Sequence, residues 1–379
     1  MSSAIGYSGD NSYVFFIDEI AGYGRGGYGG TLTSPAAPDG DDQHIPLNSL
    51  VSLDMELPKY GMYEAAYIGD SIRTRQSTIL EPGTVTLDAV YHAPFLASRF
   101  FTKKQWDGTW SADPETITMD MTDWETTTNS IALFAHIENR DSSGDNLNIT
   151  MYGGQITSYG WTIESEDVLK ESVEMSYNQY TTTTTDISYN SDADYHNQKF
   201  ALWNTDRILD DTSVLAIQQK KVSVTTTTDL DSAIASYSSA ALTISTEYQS
   251  EVGIGYEQQN FSEKQVYDVE ATMTAKIKDD YPISQFVSRF EDREKIHFTI
   301  KINETSYSHE EYLRCTNMRL ESIGSVTIPD PSSDAVMQLE LVFLPTSDSV
   351  VSYSGEFDGT NTATPEDASK MDYIKYLTT

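Results

Sequence analysis

Apolar and polar residues alternate along most of this chain with a period of two, the spacing of strands that bury one face. Val51, Leu53, Met55 and Leu57 alternate with Ser52, Asp54 and Glu56, and Leu242, Ile244, Thr246 and Tyr248 alternate with Thr243, Ser245 and Glu247. Further runs follow in both halves. Val85, Leu87 and Ala89 answer Val269, Ala271, Met273, Ala275 and Ile277; Ile131, Leu133, Ala135 and Ile137 answer Ile296, Phe298, Ile300 and Ile302. A closing strand pairs Val173, Met175 and Tyr177 with Leu339, Leu341 and Phe343. Between the second and third runs each half carries a proline-started apolar segment, Pro94–Phe101 and Pro282–Arg293. The latter reads as a helix: Asp279 and Asp280 offer caps, Pro282 suits the first turn, and Ile283, Phe286, Val287 and Phe290 follow helical spacing.

Five elements in the same order imply a duplicated unit. The expected organisation is an N-terminal strand (Tyr13–Ile20) and arm over 1–46, a first unit over 47–180, a connector over 181–239, a second unit over 240–345 and a polar tail over 346–379. The fold class is mainly β with an α+β flavour: two tandem β-sandwich or barrel units, each with one flanking helix, plus extended arms and loops. The Gly/Tyr stretch Gly22–Gly30 and the Pro/Asp stretch Ser34–Asp42 lack hydrophobic period and read as loop. Phe200–Ile217 holds the place before the second unit that Tyr13–Ile20 holds before the first, and is expected to be its counterpart. The threonine runs Thr181–Thr185 and Thr225–Thr228 favour extended, exposed chain. Lys59–Pro82 shows no clean alternation and reads as a long excursion, one that the second unit has in shorter form.

Charge changes the picture more than length does. The 379 residues include 58 acidic and 24 basic ones, a formal net charge of −34, with a pI near 4.3 and mean hydropathy of −0.43. Such a charge pushes a compact chain apart in dilute buffer. In molar salt the Debye length falls to roughly 3 Å and the repulsion is screened. This composition resembles that of proteins from extreme halophiles. It disfavours specific duplex-DNA binding, which needs cations to neutralise phosphates. Aromatic content of 11%, with 24 tyrosines, marks a chain that folds. The single cysteine, Cys315, permits no disulfide within the chain and is expected to be a buried, inert thiol at the position matching Gly153. Met1–Asp10 shows no secretory pattern, and no apolar run approaches the ~20 residues of a membrane helix.

Candidate chemistry is sparse. Gly24–Gly29 matches GxGxxG, but Thr31–Pro38 follows it with two prolines where a dinucleotide site needs a helix, so a loop is expected. The six histidines have no metal-ligand spacing, and His136 and His297 fall on the polar phase of their strands, where a surface position is expected. Asp141–Asn148 lacks the spacing of a calcium loop and reads as an acidic turn. Sequons at Asn148, Asn260 and Asn303 are what chance supplies in a chain this rich in Ser and Thr. No nucleophile motif appears, so neither an enzyme nor a cofactor is expected.

The segment Leu147–Tyr177 and its shorter partner Glu311–Phe343, with Gly153-Gly154 and Cys315 at the bend, resemble the tail tube proteins of long-tailed viruses. The strand entry Glu81–Leu87 and the helices at Pro94 and Pro282 share the likeness. The resemblance implies tail-tube-like β-sandwich or barrel domains. Because the unit is duplicated, it implies trimeric rings that imitate hexamers and stack into a hollow tube for viral DNA. The implied partners are further copies of itself, other tail proteins at the tube ends, and DNA that passes without specific binding; no membrane is involved. The implied location is the virion tail, assembled in the host cytoplasm, with a halophilic archaeal host. The Tyr60–Arg75 excursion, with Tyr60, Tyr63, Tyr67, Arg73 and Arg75, is expected to be the ring-stacking loop. The competing readings are another β-rich virion or surface-layer part (capsid, baseplate or envelope) and an acidic β-fold hydrolase with a carboxylate pair in a cleft.

Overall fold

The computed structural model of the chain describes residues 7–19, 44–46, 50–65, 74–91, 95–106, 114–122, 130–139, 145–164, 169–184, 218–225, 234–251, 260–277, 288, 291, 295–304, 309–327 and 338–358. They are mainly β, in large antiparallel sheets, as the alternation predicts. The first half carries β1 (Tyr7–Asp18), β2 (His44–Pro46), β3 (Leu50–Glu56), β4 (Lys59–Ala65), β5 (Thr74–Glu81), β6 (Gly83–Val90) and the short helix α1 (Phe95–Phe100). Strands β7 (Lys103–Trp106), β8 (Pro114–Asp120), β9 (Ile131–Asn139), β10 (Leu147–Glu164), β11 (Lys170–Tyr177) and β12 (Gln179–Thr183) complete it. The second half carries β13 (Gln218–Thr225), β14 (Ile234–Glu251), β15 (Asn260–Ile277), β16 (Lys295–Glu304), β17 (His309–Thr327), β18 (Gln338–Leu344) and β19 (Val351–Asp358). Ser288 and Glu291, inside the expected Pro282–Arg293 helix, are helical.

Strand pairing recurs between the halves. The first has β1·β9, β3·β6, β6·β11, β9·β10, β10·β11 and β10·β12. The second has β13·β16, β14·β15, β15·β18, β16·β17, β17·β18 and β17·β19, in the same chain order and all antiparallel. Two links join the halves: β10 pairs with β14, and β8 pairs with β19.

Irregularities in register fix the correspondence residue by residue. Long strands β10 and β17 each exchange one set of neighbours for another at a β-bulge. Against β9 the shift in β10 falls between Met151 and Gly154; against β16 the shift in β17 falls between Cys315 and Met318. A second irregularity against the next strand lies between Ile156 and Ser158 in one and between Leu320 and Ser322 in the other. The positive-φ residues among the described ones are Gly153 (69°) and Asn317 (55°), one at each bulge. Asparagine tolerates this left-handed conformation better than most side chains do. Gly153 therefore corresponds to Asn317 and Met151 to Cys315, which moves the expected Gly153–Cys315 match by two residues. The same registers set Leu53, Met55 and Leu57 against Ala240, Leu242 and Ile244, and Val173 and Met175 against Leu341 and Phe343, correcting both sequence alignments.

Inward phases of both halves meet in one continuous core that includes Leu87, Leu133, Met151, Trp161, Leu242, Phe298, Leu341 and Tyr353. The bulge in β10 is packed against it. A Cβ on Gly154 would lie 2.3 Å from Tyr177 Cε1 and 2.5 Å from the Ile131 carbonyl oxygen, which is sheet backbone and cannot swing away. Gly154→Ala is expected to cost on the order of 3 kcal/mol, seen as a lower denaturation midpoint in molar salt.

Other expectations need correction. The expected N-terminal strand is β1, which begins earlier, at Tyr7, and pairs with β9, with Phe16 fully buried. By pairing, β13 (Gln218–Thr225) is a counterpart of β1; Phe200–Ile217 lies outside the described residues, together with Gly22–Gly30 and Ser34–Asp42. Val351–Asp358, expected in a polar tail, is a strand between β17 and β8. His136 is buried rather than at the surface, because β9 is covered on both faces; its Nδ1 lies 2.7 Å from Asn148 Oδ1. His297 is half-buried and accepts from the Asn317 backbone N–H at 3.2 Å. Cys315 is buried, and burial pushes its thiol up to about 12, out of the reactive range.

Candidate assembly surfaces

Where the halves join, β10 and β14 run side by side with Tyr159 opposite Ile244, Trp161 opposite Leu242 and Ile163 opposite Ala240. Gly160 permits this approach: a Cβ there would meet Leu242 O and Thr243 Oγ1, both at 2.9 Å. Beneath the seam lies a buried polar cluster drawn from both halves. Tyr91 donates to Glu311 Oε2 at 2.5 Å, and Tyr353 donates to the same oxygen at 3.0 Å. The Trp161 indole N–H donates to Tyr159 Oη at 2.8 Å, and Tyr159 donates to Glu171 Oε2 at 3.4 Å. Trp161 packs on Tyr91 at 4.6 Å and edge-on to Tyr353 at 6.1 Å between ring centroids. Burial raises the Glu171 carboxyl to about 8, its charged form being disfavoured also by Glu311. Tyr91, Tyr159 and Tyr353 are pushed well above the usual phenol range, burial again leading. Burial thus favours the neutral form of Glu171, and the hydrogen bond from Tyr91 to Glu311 ties one half to the other.

Sequence reasoning passed over this cluster, although a signal existed. In β11 Glu171 shares its phase with Val173, Met175 and Tyr177, and in β17 Glu311 shares its phase with Leu313 and Cys315. A carboxylate on the apolar phase of a strand is expected to find partners in the core.

Across the seam one sheet runs β3-β6-β11-β10-β14-β15-β18-β17, two four-strand blocks of like order. The face turned away from the core is hydroxylated and acidic. Asp54, Glu56, Glu164, Glu174, Glu247, Asp268, Glu270 and Glu340 are exposed there, with Lys170 half-buried among them. Among the described residues the sheet ends on β3 at one side and on the last part of β17 at the other.

The expected stacking loop is a hairpin. β4 and β5 form a two-stranded sheet of their own, with Tyr63 opposite Gln76 and Arg75 opposite Glu64. Tyr60 is 51% exposed; Tyr67 and Arg73 lie outside the described residues. The hairpin has a counterpart in the outer parts of β14 and β15, which pair as far as Glu251 and Asn260, so the excursion is not longer in the first half. What differs is the break at its base. Pro58 and Pro82 lack ladder donors, and Gly83 sits so close that a Cβ would be 2.3 Å from Glu56 O.

Among the described residues no cluster of His, Cys, Asp and Glu could hold a metal ion, and no helix is long and apolar enough to cross a membrane. No known family model matches the chain, and no curated protein is significantly similar to it in sequence.

Proposed function

We propose that the chain is a tail tube subunit of a long-tailed virus of a halophilic archaeal host, whose copies form trimeric, pseudo-hexameric rings that stack into a DNA conduit. One observation carries this reading: two four-strand blocks with the same pairing order already lie side by side in one sheet, and among the described residues no strand pairs beyond β3 at one end or the last part of β17 at the other. An open sheet edge is a template for more sheet, and closing it into a barrel removes the hazard. Three copies bring roughly two dozen strands about 4.8 Å apart; tilted about 40° they close a cylinder on the order of 48 Å across. That bore passes a double helix. The acidic, hydroxylated face turned away from the core would line it, repelling phosphates so that DNA slides rather than sticks.

The hairpin of β4 and β5 and the outer parts of β14 and β15 supply the contacts between rings, with Tyr60, Tyr63 and Arg75 on the first. A ring-on-ring contact is heterologous and propagates as a filament. Negative-stain imaging of purified protein in molar salt tests the proposal. Three-fold rings and stacked tubes are expected; a monodisperse monomer at high protein and salt concentration overturns it.

A further inference from the structure

We infer that the end of β17 pairs antiparallel with β3 of a second copy, in the register that β10 holds against β14: Ile323 opposite Leu57, and Gly324 opposite Glu56. This rests on the ring reading above and specifies its joint. The joint inside the chain is the template. By pairing and bulge position β17 is the counterpart of β10, and β3 is the counterpart of β14. Within the chain β10 and β14 already meet; among the described residues β17 and β3 are where the same sheet ends.

Burial differs between the two sets as a missing neighbour requires. Ala240, Leu242 and Ile244 on β14 are fully buried under β10, whereas their counterparts Leu53, Met55 and Leu57 are only half-buried. On the other side Tyr159 is fully buried and its counterpart Ile323 is half-buried. Half-buried apolar side chains at both sheet ends are the surface that a further copy covers.

A glycine recurs at the point of approach. Ser158-Tyr159-Gly160 in β10 corresponds to Ser322-Ile323-Gly324 in β17, directly after the matched irregularity. Gly160 is required because the β14 backbone lies where a Cβ would be. Gly324 holds the corresponding place in β17, where a second copy's β3 would approach, and it also falls in a further register irregularity against β18, between Ile323 and Val326.

The two joints differ in chemistry. Glu311 and Tyr353, which anchor the internal seam, correspond by register to Leu147 and Thr182 in the first half. The joint between copies therefore has a leucine and a threonine at the places where the internal one has a carboxylate and a phenol.

Cysteines at directly opposed strand positions report this register. With Leu57→Cys and Ile323→Cys in one chain, oxidation in molar salt is expected to give cross-linked dimers and closed trimers on denaturing gels. The pair Leu57→Cys and Ser322→Cys, which faces opposite sides of the sheet, is expected to give at least tenfold less. Cross-links confined within single chains, or rings that form without cross-linking, overturn the inferred joint and leave the tube reading standing. Absence of any assembly sinks both. Gly324→Val supplies an independent check: assembly is expected to fall at least tenfold with the thermal midpoint of the monomer unchanged, and undiminished assembly overturns the joint.

Discussion

Replacing Trp161 by alanine is expected to destabilise the chain by about 4 kcal/mol, the range for a large aromatic deleted from a packed core. Its indole is fully buried, packs tilted against Tyr91, meets Tyr353 edge-on and donates to Tyr159. Alanine removes the ring contacts and leaves Tyr159 without its donor, so that lost packing and a broken polar chain add. Domains are stable by only about 5–15 kcal/mol, so the loss is a large fraction of the total. Because Trp161 sits where both halves share one core, they should still unfold together, with the denaturant midpoint lowered and its slope kept. Tyr353→Phe, which removes one of two hydroxyls from Glu311, should cost about 1–2 kcal/mol. A loss below 1 kcal/mol for Trp161→Ala would mean that the cluster does not hold the halves together.

How much of this was legible in the sequence follows from what each residue answers to. Period-two alternation was enough for β6 and β11, because strands with one buried face write their phase directly. It misplaced β3 and β14 by about two pairs, since runs such as Val51, Leu53, Met55 and Leu57 fit their partners at several registers equally well. Bulges settle register, and they were hidden: Gly153 and Asn317 share a left-handed backbone but no letter. His136 went wrong for a related reason, since alternation predicts one wet face and β9 has none. The hairpin of β4 and β5 was hidden by Pro58 and Pro82, which break its base into separate strands. The seam cluster needed contacts between Tyr91, Glu311 and Tyr353, which are far apart along the chain and carry no local signature.

Stability is expected to fall as pH rises from about 4.5 to about 8, and Glu171→Gln to remove that fall. A glutamate in the unfolded chain titrates near 4.5, whereas burial raises Glu171 to about 8. Between those values the native state binds one more proton than the unfolded state, so each step up in pH favours unfolding. The contribution is complete below the lower value and lost above the higher one. At 1.36 kcal/mol per unit the difference is on the order of 5 kcal/mol. Of the groups that face this carboxyl, Glu311, held by Tyr91 and Tyr353, adds like charge and reinforces the direction, whereas the Tyr159 hydroxyl, donating from 3.4 Å, opposes it without outweighing burial. Lys170 projects from the other face of β11, with Ser172 bonded to Asp88 there, so no cation offsets the burial from that strand. Glutamine keeps the shape and can accept from Tyr159 without a charge to desolvate. Acid titration of the many surface carboxylates is common to both proteins and cancels in their difference, as does screening in molar salt. Denaturation midpoints of the two proteins between pH 5 and 9 measure that difference. A variant that tracks the parent across the range would show that Glu171 is ionised in the folded chain and that the seam tolerates two buried charges.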